Sequence, residues 1–93
     1  MESWNLKYIG GTLKKLRKSK LQTQEDLAEE SGLGTRTISS LENNHQEPLF
    51  STIRSLAAAL EMDTSEFMME IEMDVQKAQV REKNQKRSHV QME

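Results

Sequence analysis

Ninety-three residues, 34% hydrophobic and 30% charged with a formal net charge of −2, leave room for one small domain with a modest core and an appendage. The lack of cysteine excludes a disulfide framework and a thiolate metal site and is compatible with a reducing cytoplasm. One proline, four glycines and no β-branched runs argue against a sheet, no apolar stretch is long enough to span a membrane, and MESWNLKYIGG lacks the form of a signal peptide, so the chain reads as all-α.

The first helix is expected over about Asn5 to Ser19, with Ile9, Leu13 and Leu16 as its buried line. Gly10-Gly11 weakens its start, but a small residue there lets another helix approach closely. Lys14, Lys15, Arg17, Lys18 and Lys20 make this helix basic. Thr23 is placed to cap a second helix, because its hydroxyl can accept from a free first-turn N–H, and Asp26 adds negative charge that suits the helix dipole. Leu27 and Ala28 point inward, and Gly32 stands where that helix must stop and the chain must turn. After Leu33 and Gly34 a third helix begins, with Ile38 and Leu41 as its buried edge and Thr35, Arg36, Ser39 and Ser40 outside. A small polar face with one arginine near its N-terminal end suits a helix that enters a DNA major groove and hydrogen-bonds to base edges.

Asn43-Asn44-His45-Gln46-Glu47-Pro48 reads as a turn, since asparagine tolerates the left-handed conformation and proline forbids simple continuation. A fourth helix spans about Phe50 to Leu60, with Phe50, Ile53, Leu56, Ala57 and Leu60 on one face. Asp63-Thr64-Ser65 can cap a fifth helix from Glu66, with Phe67 and Ile71 inward. Beyond it, Val75 and Ala78 continue the helical spacing before the chain turns wholly polar. This tail either continues as helix to about Lys83 and packs against a second copy through Met68, Met69 and Met73, or frays into a charged extension, disordered beyond Glu82.

LKKLRKSK at 13–20, TQEDLAEESGL at 23–33, TISSLEN at 37–43 and Pro48 followed by TIRSLAAAL at 52–60 stand in register. On these blocks, over roughly residues 9 to 68, the sequence resembles the phage-repressor/Cro-like (Xre) helix-turn-helix family. The resemblance implies a five-helix lambda-repressor-like DNA-binding domain over residues 1–68 and a C-terminal helical extension, partly disordered, over 69–93. It also implies site residues. Gln24 matches a DNA-contacting position in the first turn of the second helix, where free N–H groups and an amide can hold a phosphate. Thr35 and Arg36 match positions that reach base edges, and an arginine there can grip guanine O6 and N7. Ser40 matches a further base-facing position, while Thr37 and Ser39 fit phosphate contacts or plain solubilising residues. Asn43, Asn44 and His45 follow the third helix where the family's loop touches the phosphate backbone. The family often pairs a first-helix arginine with the glutamate ending the third helix; Arg17 and Glu42 stand at those positions.

Four departures from the family pattern bear on this. Leu21-Gln22 reverses the usual order of glycine then apolar residue, so either Leu21 swings into the core or the first turn shifts. Asn44 and Glu61 stand where glycine is frequent, and Glu47 puts an acid near the expected path of the DNA backbone. Residues 1–68 hold eight basic and ten acidic side chains and residues 69–93 five of each, which predicts weak, salt-sensitive phosphate affinity.

The expected function is a sequence-specific DNA-binding transcriptional regulator, a repressor that binds a pseudo-palindromic operator in double-stranded DNA as a homodimer. Its place is the bacterial or phage cytoplasm, at the nucleoid. The alternative is an antitoxin-like or co-regulator module that uses the same fold to grip a regulatory protein partner. No nucleophile–base pair, paired carboxylates or phosphate-cradling loop points to an enzyme. No cofactor is implied, and His45 and His89 lack the spacing of metal ligands.

Overall fold

The computed structural model describes residues 6–91, with the side chains of residues 6 and 8–78. Five α-helices are present among the described residues: α1 (Gly10–Ser19), α2 (Gln24–Ser31), α3 (Thr35–Glu42), α4 (Phe50–Ala59) and α5 (Thr64–Gln91). A 3-10 turn, Leu6–Tyr8, precedes them. The first helix therefore begins later than its periodicity predicts, and Asn5 lies outside the described residues. Its start is fixed by a contact from far along the chain: the Gly10 N–H donates to Asn44 Oδ1 at 2.8 Å. A helix start leaves N–H groups without intrahelical partners, and here a distant side chain takes one.

Ile9 and Leu13 meet Leu27, Ile38, Leu41, Ile53, Leu56, Leu60, Phe67 and Ile71 in one core, each at most 1% exposed. Full burial of such a side chain contributes about 1.5–3 kcal/mol, so this cluster is the main reason the short helices hold. Leu16 is only partly buried. Phe50 departs further from expectation: it is 61% exposed, not on the inner face of α4. The chain enters α4 through buried Pro48 and extended Leu49, and the inner line of the helix starts at Ile53 instead. The fifth helix starts at Thr64, two residues before the expected Glu66, because Glu66 Oε1 reaches back to accept from the Asp63 N–H at 2.8 Å.

Helices α1, α3 and α4 end alike. Leu21 donates its N–H to the Lys18 carbonyl and Gln22 to that of Arg17; the pairs Asn44–Leu41 with His45–Ser40 and Glu61–Ala58 with Met62–Ala57 repeat the pattern. These are double-bonded left-handed caps. Their central residues, Leu21, Asn44 and Glu61, have φ of 58°, 58° and 60°. Leu21 thus stays out of the core at 91% exposure, and Gln22 turns inward, its Nε2 donating to the Ala59 carbonyl at 3.3 Å. A left-handed side chain other than glycine or asparagine costs about 1–2 kcal/mol. Leu21→Gly and Glu61→Gly should each raise stability by about 0.5–1 kcal/mol after the added flexibility of the unfolded chain. Urea denaturation measures this, and a loss of stability in both variants would contradict it.

A polar cluster seats α5 on α1. The buried Thr12 hydroxyl donates to Asp74 Oδ2 at 2.6 Å, and Lys15 Nζ lies 3.0 and 2.9 Å from the two Asp74 oxygens. Lys15 also reaches Glu70 at 3.8 Å. Burial pushes the Asp74 carboxyl up, but the Thr12 hydroxyl, the Lys15 ammonium and the charge of Lys77 outweigh it and hold the group below the ordinary aspartate range.

Candidate nucleic-acid interface

The site is built on the α2–turn–α3 unit. Thr23 Oγ1 accepts from the Asp26 N–H at 3.0 Å, and Asp26 Oδ2 accepts from the Thr23 N–H at 2.9 Å. This reciprocal capping box fixes where α2 starts. The Thr23 N–H first and its hydroxyl second hold the Asp26 carboxyl below its ordinary range. Gly32, at φ 76°, ends α2 in the left-handed conformation that glycine adopts freely, and its N–H donates to the Ala28 carbonyl at 3.0 Å. Gly34 then precedes α3 in an extended conformation with no side-chain cap.

Helix α3 turns Ile38 and Leu41 fully inward. Thr35 and Arg36 are exposed, and Arg36 holds no ion pair among the described residues. Thr37, Ser39 and Ser40 are half-buried at the flanks of the helix. The outward face therefore offers an arginine and a hydroxyl at the front, with smaller hydroxyls behind.

Glu42, the last residue of α3, anchors the unit. Its Oε2 accepts from Arg17 Nε at 2.6 Å and its Oε1 from Arg17 Nη2 at 3.1 Å. Arg17 Nη1 donates to the Gln22 carbonyl at 2.7 Å. The Arg17 and Glu42 side chains are only 9% and 3% exposed. The Glu42 hydrogen bonds raise the guanidinium pKa against the opposing effect of burial. The pairing that the resemblance implies is thus present, and its two parallel bonds fix the helices in orientation as well as distance.

Three predicted contact residues already have internal roles. Gln24 Nε2 donates to Glu42 Oε1 at 3.0 Å. Asn43 Nδ2 donates to the Ser39 carbonyl at 2.9 Å. Asn44 Oδ1 accepts from the Gly10 N–H. Sequence reasoning missed all three links: those of Gln24 and Asn44 depend on how distant segments meet, with the Gly10-Gly11 pair the one local signal of a close approach, whereas that of Asn43 is a local bond back to Ser39 at the end of α3. Among the described residues no cluster of three or more His, Cys, Asp or Glu could hold a metal ion.

Residues 13–67 match the helix-turn-helix family. The chain belongs to that family, in its phage-repressor-like (Xre) form. Among curated proteins none matches the sequence. Solved structures of the same fold do. A variant of the restriction-modification controller protein C.Esp1396I is 31% identical, with a TM-score of 0.73 over 83% of this chain and 98% of its own. The controller protein C.AhdI from Aeromonas hydrophila is 32% identical, with a TM-score of 0.62 over 67% of this chain and 92% of its own. The clp gene regulator ClgR from Corynebacterium glutamicum is 26% identical, with a TM-score of 0.71 over 89% and 92%.

Proposed function

We propose that this helix-turn-helix protein is a sequence-specific DNA-binding transcriptional regulator that represses from a pseudo-palindromic operator. The observation that carries this is the geometry of α3: exposed Thr35 and Arg36 at the front of a helix whose far end is locked by the buried Glu42–Arg17 pair. A rigid helix with a free arginine suits bidentate readout of guanine in the major groove. Thr37, Ser39 and Ser40 then line the flanks, and Gln24, Asn43 and the Nδ2 of Asn44 face the phosphates. The relatives that share the fold are themselves named as controller proteins and a gene regulator, which supports a regulatory role.

Two copies act together in this reading. Met69 and Met73 are 65% and 44% exposed on α5 and supply adaptable apolar surface for a second copy. Half-sites then lie about 34 Å apart, one helical turn of DNA. Work on DNA implies a cytoplasmic, nucleoid-associated protein, and no helix among the described residues is long and apolar enough to cross a membrane.

Selection from a random DNA library, wild type beside Arg36→Ala at one salt concentration, tests the reading. Wild type should enrich an inverted repeat, and Arg36→Ala should lose about 1–3 kcal/mol of discrimination at one base pair of each half-site. No enrichment by a folded wild-type protein would overturn it in favour of a partner-dependent interaction module.

A further inference from the structure

Apolar burial seats the early turns of α5: Phe67 and Ile71 lie in the core, each at most 1% exposed. Beyond Ile71 no described side chain of the helix is fully buried, and Val75 lies only at the edge of the core. Asp74 takes over there. Its carboxylate accepts from the buried Thr12 hydroxyl through one oxygen and from Lys15 Nζ through both, and both donors stand on α1. Charge-assisted bonds are short and demanding in geometry, so they fix an angle between α5 and α1 that apolar contact alone leaves loose. Met73, next to Asp74 in the chain, is exposed, as is Met69 one turn before it. At about 100° per residue these two methionines face away from Phe67 and Ile71. The same turn of α5 therefore grips α1 on one side and presents apolar surface on the other.

We propose that Asp74, with Thr12 and Lys15, is a positioning cluster that sets which separation of DNA half-sites the protein accepts. This rests on the reading above, in which two copies meet through Met69 and Met73. The angle between α5 and α1 then fixes the distance between the two α3 helices. Each base pair added between half-sites moves them apart by about 3.4 Å and turns one against the other by about 35°. Asp74 lies about 15 Å along α5 from Thr64, at about 1.5 Å per residue. A tilt of about 10–20° over that length shifts the outward face by about 3–5 Å. Two copies with loosened α5 helices can share the displacement and turn of one base pair, whereas two held copies cannot. Thr12, Lys15 and Asp74 stand outside the α2–turn–α3 unit, so contact with a single half-site does not depend on them.

The test uses the full chain with Asp74→Ala, which leaves Thr12 free to bond a carbonyl one turn back in its own helix. Affinities are measured for the selected inverted repeat, for the same repeat one base pair longer and one shorter, and for a lone half-site. Wild type should prefer its own spacing by about tenfold, the order of one mismatched base pair. Asp74→Ala should reduce that preference to about twofold while its affinity for the lone half-site stays at the wild-type value. Lys15→Met, which keeps the Thr12 bond, should fall between the two, and it carries the test if Asp74→Ala does not fold. Wild-type preference in both variants, or an equal loss at every spacing, overturns the positioning role and leaves DNA binding standing. A wild type that binds the repeat no better than the lone half-site overturns the two-copy reading, and this inference with it.

Discussion

Glu42→Ala is expected to lower stability by about 3–5 kcal/mol, because removing one partner of a buried ion pair strands the other charge. The stranded group is the Arg17 guanidinium, 9% exposed, which would keep its bond to the Gln22 carbonyl and lose both bonds to the carboxylate. A domain of this size has only about 5–15 kcal/mol in total. At about 4–8 °C per kcal/mol the melting temperature should fall by tens of degrees. Thermal melts followed by circular dichroism check it. The double variant Arg17→Met with Glu42→Leu should recover much of the loss, since apolar side chains of similar volume often replace a buried pair at little cost. Its DNA discrimination should stay impaired, because the geometric hold on α3 is gone. An unchanged melting temperature in Glu42→Ala would mean that the pair does not hold the helices together.

The two adjacent glycines of α1 should respond in opposite directions. A Cβ on Gly10 would collide with the Glu42 carbonyl oxygen and come within 2.7 Å of Asn44 Oδ1. The carbonyl is backbone at the end of α3, so relief requires the α3 terminus to move away from α1. Gly10→Ala should therefore cost about 3 kcal/mol, at the upper end for overpacking, despite alanine's better helix propensity. A Cβ on Gly11 meets nothing within 4 Å. Gly11→Ala should gain about 0.5–1 kcal/mol from propensity alone. Urea denaturation of the two variants side by side provides the check, and equal effects would show that the close approach is not tight. Because the Asn44 cap and the end of α3 share this contact, Gly10→Ala should also weaken DNA binding more than its stability loss explains.

Much of the α2–α4 region was legible because its signals are local. Thr23, Asp26 and Gly32 specify a start and a stop through their own backbone hydrogen bonds, and the observed bounds of α2 follow them. Ile38, Leu41, Ile53, Leu56 and Leu60 recur with helical spacing and are all buried. Phe50 fits the same spacing and lies outside. Periodicity cannot sense that Pro48 is buried and that the inner line of α4 begins one turn later.

By itself, the sequence determined the all-α class, the order of the helices, the family and which face of α3 carries Thr35 and Arg36. These depend on contacts within a few residues, or on motifs read in register. Only the tertiary structure decided what meets across the fold. It set Asn44 over the start of α1, joined Gln24 to Glu42, turned Gln22 towards the end of α4 and placed Asp74 between Thr12 and Lys15. The physical reason is range. A cap or an apolar stripe lowers free energy within one helix, whereas a side-chain amide or carboxylate has many acceptable partners until packing brings one within hydrogen-bonding distance.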